Sequence, residues 1–324
     1  MYKEEKCLPS HKIKTILASS FAVAVLSLLT LLPVNAFFIL CSAAIVAVIG
    51  FCVTRLHYGY VAFVCFINFA IYTIFSEGLL SSISSSLPLV LCGLSLGICL
   101  NLKLSVYKTL TIFTVSYLLC IVLNIKITEI FVSGQNVFVQ VVETVGTVLR
   151  ESLATLHPEQ ASPEEIDSLV SGFTSMLLRI SPSFIVIVCI LFSLLCYYLF
   201  RRLCMMTKTD VSCFLSFSSW RAEKFLSIPF FIILAIYFFM PGESFLSDIS
   251  LNITAVMSFI FFVLGLSLVE FKLENKIKKS YIRKLILIVI VMSSLFMGFT
   301  FTVISTIGAL DGLINYREKK FFNR

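Results

Sequence analysis

The residues of this chain that could do chemistry are few and widely spaced. His11, His57 and His157 fall on three different segments, so no His-based metal-ligand set or catalytic dyad assembles from spacing. Eleven cysteines are present, without a CxxC pair. Cys41, Cys52, Cys65, Cys92, Cys99, Cys120, Cys189 and Cys196 lie in apolar runs, and Cys7, Cys204 and Cys213 in basic connecting segments. Cys92/Cys99 and Cys189/Cys196 share helix faces, the ordinary setting of small buried apolar side chains. Neither disulfides nor structural zinc is expected. HExxH and the phosphate-binding loop pattern are absent. No catalytic residue, metal site or cofactor follows, and the expectation is a protein that is not an enzyme.

Polar groups at membrane depth are the remaining chemical signal, because 59% of the 324 residues are apolar and only 13% are charged. That balance is a polytopic membrane protein. An ionisable group inside lipid costs several kcal/mol and marks a proton, ion or substrate path. Here only Glu270 comes close, at the end of an apolar run. The notable uncharged groups are Asn68 and Asn252, which either hold a polar ligand or bond across a helix pair, the commoner case.

The elements that position these groups are apolar runs, each long enough to cross about 30 Å of hydrocarbon. They cover 15–33, 36–54, 59–76, 83–100, 107–124, 183–200, 225–241, 249–270 and 285–308. The third and seventh are marginal in length. The first ends in Val34-Asn35-Ala36, which imitates a processing site, but the run is long for a leader and a second follows at once, so a retained span is expected. The net charge of +7 resides in clusters at the ends of runs. It is a topology signal rather than a nucleic-acid patch. With nine crossings and the N-terminus inside, eighteen Lys/Arg lie on the inner side, against Lys126, Arg150 and Arg179 outside. The tail cations Arg317, Lys319, Lys320 and Arg324 then fall outside as well; eight crossings would return them to the inner side.

The fold expected is therefore all-α, a bundle of about nine spans with an outer amphipathic helical hairpin between spans five and six. In that segment, 125–182, Val141, Val142, Val145, Val148 and Leu149 recur at helical spacing. After a turn at His157-Pro158, Ser162-Pro163-Glu164-Glu165 reads as a capping box and opens a second stripe through Ile166, Leu169, Val170, Phe173 and Met176. Both helices are expected on the outer surface, the second entering span six through a kink at Pro182. The chain divides into a six-span bundle over 1–202 that includes this segment, an inner basic and aromatic loop over 203–226, and a C-terminal two- or three-span unit over 227–324.

Two further patterns concern packing and partners. Ala18-x-x-x-Ala22 and Gly93-x-x-x-Gly97 allow close helix approach, within the chain or with another subunit. In the inner loop Phe214, Phe217 and Trp220 alternate with polar residues before Arg221 and Lys224, as an interfacial anchor or a docking surface would.

In order along the chain, Pro182 leading a span with a basic end, the loop with Trp220-Arg221 and Pro229, Asn252 through Gly265, and the ending with Gly308, Asp311, Tyr316 and Arg317 resemble the YybS-like family of bacterial polytopic membrane proteins. Relatives place the proline soon after the Trp-Arg pair, whereas here Ala222–Ile228 intervene. The first six spans are distantly similar to S components of energy-coupling-factor transporters. That resemblance implies a six-helix bundle with both ends inside, in which Ala18 and Ala22 would contact a coupling subunit.

Two functions are compatible with these features. One is an accessory or scaffold protein of the bacterial inner membrane, N-terminus cytoplasmic, acting through the outer helices and inner loop. The other is an S-component-like subunit that binds a small solute or lipid-like ligand and relies on a partner ATPase. Either way the partners are membrane lipids and a membrane protein, not nucleic acid.

Overall fold

A computed structural model of the chain describes residues 9–31, 35–75, 78–134, 136–156, 163–209, 216–239, 244–274, 276–314 and 317. Cys7, Cys213, Phe214, His157-Pro158, Ser162, Tyr316, Lys319, Lys320 and Arg324 lie outside the described residues, as do the side chain of His11 and the segment Val34. Among the described residues the structure is all helical: α1 (Pro9–Thr30), α2 (Asn35–Arg55), α3 (Tyr58–Phe75), α4 (Leu79–Asn101), α5 (Val106–Thr128), α6 (Val137–Leu156), α7 (Pro163–Met206), α8 (Lys224–Phe239), α9 (Phe245–Glu274), α10 (Ser280–Phe296) and α11 (Gly298–Ile314). A π-helical turn, Glu129–Ser133, extends α5 and closes on Gly134 in the left-handed region, φ 63°.

Among the described residues seven helices, α1 to α5, α7 and α9, are long and apolar enough to cross a membrane, whereas α8 and α11 are shorter apolar helices. The chain forms two compact units, one of residues 1–137 with 188–214 and one of 138–187 with 215–324. Residues 138–187 thus belong with the C-terminal unit, whereas the sequence grouped 125–182 with the first six spans. The reason is side-chain chemistry at residues 179–183, described below.

In the first unit the closest approach is α2 on α4. A Cβ on Gly93 would lie 2.7 Å from Ile49 Cβ, and one on Gly97 would lie 2.6 Å from Gly50 O and press on Val53. These glycines let two apolar helices meet at backbone distance, where dispersion contacts are densest. Asn101 Nδ2 donates to Val53 O at 3.2 Å at one end of this pair.

Two sequence expectations change. First, α7 is a single helix of 44 residues with Pro182 inside it, so the amphipathic helix and span six are one element. At 1.5 Å per residue it is about 66 Å long, roughly twice the hydrocarbon thickness, and its acidic N-terminal half extends beyond the apolar layer. Second, the run 285–308 is not one crossing. It breaks at Met297, φ −120° and ψ 99°, followed by Gly298. Against α9, Arg283 meets Glu270 while Phe301 stacks on Phe262 and Ile304 touches Gly265. Hence α10 runs antiparallel to α9 and α11 parallel to it, and the chain has doubled back. Arg317, bonded to Ser267, finishes at the same end as the C-terminus of α9.

Candidate functional site

The most heavily constrained polar site is built where α9 and α11 run side by side. Their crossing is set by Gly265 and Gly308. A Cβ on Gly308 would meet Gly265 N at 2.7 Å and collide with Phe261 O, and one on Gly265 would collide with Ile304 O. Only hydrogen in place of both side chains permits this approach. The obstructing atoms are backbone and cannot rotate away.

One turn further on, Asp311 and Arg317 are 5% and 6% exposed. Arg317 Nε donates to Asp311 Oδ2 at 3.0 Å, Nη1 donates to Ser218 O at 2.6 Å, and both Nη atoms lie 3.3 Å from Ser267 Oγ. The guanidinium also sits over the Phe271 ring, 5.5 Å from its centroid. The Ser267 hydroxyl in turn reaches Phe217 O and Trp220 O, each at 2.6 Å. The tail, α9 and the Phe217–Ser219 turn are thereby joined through one cation, whose fixed planar fork suits several acceptors at once. Asp311 Oδ1 and Ser227 Oγ, beside Gly312, are buried without a hydrogen-bond partner among the described residues.

Trp220 is buried, with its ring 5.3 Å from Phe217, so it is not an exposed interfacial anchor. Arg221 is half-buried beside it. Pro229 lies inside α8, between buried Ser227 and Phe230. Ser267, which ties the knot together, has no distinguishing sequence signal: one serine in a long apolar run looks like any other.

The second site in this unit is at Pro182. Proline leaves a helix without one N–H donor and crowds the preceding turn. Asn252 of α9 inserts there: its Oδ1 accepts from Ser183 N at 2.9 Å, and its Nδ2 donates to Arg179 O at 2.8 Å and to Asp248 O at 2.8 Å. Ser183 N and Arg179 O are one i to i−4 pair, so the carboxamide replaces the interrupted rung of the ladder. Arg179 adds an ion pair to Asp248, Nη2 to Oδ1 2.7 Å. All the polar capacity of Asn252 described here goes to backbone atoms. These bonds attach residues 179–183 to α9 and explain why residues 138–187 are part of this unit.

Beyond that splint, α6 and the N-terminal half of α7 form a hairpin. Val142, Ile166 and Val170 pack inside it, Arg150 Nη2 meets Asp167 Oδ1 at 2.9 Å, and a Cβ on Gly146 would lie 3.0 Å from Thr174. Two helices cannot bury a full apolar stripe between them. Val141, Val148, Leu169 and Met176 stay exposed, Leu169 to 63%. Thr144, Val145, Val148, Leu149, Ser152 and Phe173 line an open groove of about 370 Å³.

In the first unit Asn68 is fully buried. Its Nδ2 donates to Ser27 Oγ at 2.8 Å, Thr30 Oγ1 donates to Ser27 O at 2.6 Å, and the Thr30 and Tyr72 hydroxyls are 2.7 Å apart. Asn68 Oδ1 has no partner among the described residues. Of the alanine pair, Ala18 is exposed and Ala22 half-buried, while Ser19, Val23 and Ser27 face inward. Asn124, not singled out in the sequence, bonds Ser84 across α4 and α5. Gly93-Leu94-Ser95-Leu96-Gly97 also matches G-x-S-x-G, whose serine belongs on a strand-to-helix elbow. Ser95 instead lies within α4 and donates to Cys92 O at 2.8 Å. Among the described residues no three His, Cys, Asp or Glu side chains are grouped to hold a metal.

These helices and buried polar contacts define a polytopic α-helical membrane protein. The chain belongs to the family described as "Predicted membrane protein (DUF2232)", whose model matches residues 20–312. No curated protein and no solved structure matches it.

Proposed function

We propose that the chain is a non-catalytic accessory or scaffold protein of the bacterial inner membrane that holds a second membrane protein against its outer hairpin. The observation that carries this reading is the uncovered apolar face of Val141, Val148, Leu169, Phe173 and Met176 on helices otherwise solvated by charge. Glu143, Glu151, Glu164, Glu165 and Asp167 are exposed around it, against Arg150. A partner segment that is apolar on one face and basic on its flanks is complementary to that surface.

The proposed orientation has the N-terminus cytoplasmic. The reversal between α10 and α11 supports it, because Arg317 and the three cations that follow it then join the inner side. All but three of the 25 Lys/Arg lie there.

The test is cross-linking and capture of the full chain from its own membrane, compared with Val148→Asp/Phe173→Asp. Loss of a defined membrane-protein partner with unchanged thermal unfolding is the expected result. Equal capture by both chains would refute the scaffold reading.

The second reading, an S-component-like subunit for a small solute or lipid-like ligand, is favoured by one observation, the buried and unpartnered Asn68 Oδ1. It expects a defined small molecule in native mass spectra, lost in Asn68→Leu, and a coupling complex lost in Ala18→Leu. Spectra of the wild-type chain with no such molecule would dismiss it.

A further inference from the structure

The end of the second unit where α8 begins and α9 turns into α10 carries a dense, exposed cationic surface. Lys272, Lys276, Lys278, Lys279 and Lys284 are exposed within thirteen residues, with Lys224 exposed at the start of α8. Arg283 pairs with Glu270, 3.1 Å, and Glu274, 3.8 Å, and clamps α10 onto α9. Glu223 and Glu274 are the exposed acidic residues described at this end. The Ser267 bonds to Phe217 O and Trp220 O hold the turn that leads into α8 against the last turns of α9, so these cations lie at the same end of the unit.

The same surface is apolar where it joins the helices. Phe225 in the first turn of α8 is 72% exposed, Tyr281 and Leu285 in the first turns of α10 are exposed as well, and Lys279 Nζ lies 6.0 Å from the Tyr281 ring centroid. Water alone would not favour aromatic side chains in that position. A membrane boundary would, with rings at the glycerol level and ammonium groups reaching outward.

We infer that this surface, Lys224 together with Lys272–Lys284, binds the phosphate headgroups of anionic phospholipids. Positive charge at helix ends orients a chain, but that role does not require exposed aromatics or lysines clustered on one turn. Lysine presents a compact, rotatable point charge suited to mobile phosphodiesters, whereas a bidentate protein or base contact favours arginine. The single arginine in Lys272–Lys284 is the one consumed by carboxylates. A row of lysines next to the ends of apolar helices is also confined to headgroup depth, which excludes a rigid duplex more easily than a lipid. Each such charge near an anionic leaflet contributes about 1 kcal/mol of attraction and is screened within about 10 Å at 0.1 M salt.

The experiment uses the full chain in nanodiscs made from equal parts phosphatidylglycerol and phosphatidylcholine, released into native mass spectrometry to count retained lipids. The wild-type chain is expected to keep phosphatidylglycerol in preference to phosphatidylcholine. Lys278→Gln/Lys279→Gln, which removes two such charges, should lower that preference about thirtyfold. The matched double variant Lys103→Gln/Lys108→Gln, in the other unit, should change it less than about twofold. Equal retention of the two lipids by the wild-type chain would overturn the inference, as would an equal fall in both variants, which would signify general surface attraction. Preferential displacement of phosphatidylglycerol by an added oligonucleotide would assign the lysines to nucleic acid and overturn it too. These substitutions are on exposed side chains, and circular dichroism of the variants verifies that the helices are retained.

Discussion

Arg317 and Asp311 show how much a single buried charge pair depends on completeness. Removing one partner of such a pair costs about 3–5 kcal/mol because the other is left uncompensated, whereas replacing both with apolar groups is often neutral. Arg317→Met should therefore lower unfolding stability in detergent by about that amount, and Asp311→Leu/Arg317→Met should recover most of it. A double variant as unstable as the single would show that Ser218 and Ser267, rather than Asp311, are the partners that matter. At Pro182 the expectation has the opposite arrangement. Asn252→Leu strands Ser183 N and Arg179 O, at about 1–3 kcal/mol. Pro182→Ala in the same chain lets those two groups bond directly and should restore part of the loss. Chemical denaturation of the four chains in one detergent measures both effects.

The α9 and α11 pair is an element-scale device built on two glycines. Gly308→Ala puts a methyl against Phe261 O and Gly265 backbone, and such overpacking costs about 1–3 kcal/mol. The consequence should be local: separation of α11 from α9 with α1 to α5 intact, read as new proteolytic sensitivity confined to the C-terminal unit. The doubling back of α10 and α11 is the other element-scale result. A reporter fused after Arg324 should report the same side as one inserted at Lys278, and a reporter at Met297 the opposite side. Reporters at Lys278 and the C-terminus on opposite sides would restore a single crossing over 285–308. Each of these helices has 17 residues and spans about 25 Å. That is short of about 30 Å, which is why length alone did not separate them from one continuous run.

At the scale of the whole molecule, the two ends of the C-terminal unit differ in charge. The hairpin formed by α6 and the first half of α7 exposes mainly carboxylates beside an uncovered apolar face, and the α9–α10 turn exposes mainly lysines beside aromatics. Raising ionic strength should weaken lipid retention at the lysine end much more than partner capture at the hairpin, since apolar burial is insensitive to screening. The comparison is made by repeating both captures at low and high salt.

Composition, apolar run length and the placement of Lys/Arg determined by themselves that this is a polytopic helical membrane protein, because lipid admits only helices and closed barrels, and continuous apolar runs of this length suit helices whereas barrel strands are about 9–11 residues and alternate. The helical spacing of Val141 to Leu149 and of Ile166 to Met176 likewise made both amphipathic helices legible. Which residues meet was decided only by tertiary structure. Asn252 reads from sequence as an amide bonding across a helix pair or, less commonly, holding a ligand, but its partner is not legible, since Pro182 lies seventy positions away. Arg317 reads as a tail charge until Ser267 and Asp311 enclose it. The run 285–308 reads as one span because hydropathy counts apolar residues without regard to direction, and the reversal at Met297-Gly298 exposes no polar group that would mark it. Local pattern specifies elements, but the partners of a buried polar atom are set by which helices pack side by side.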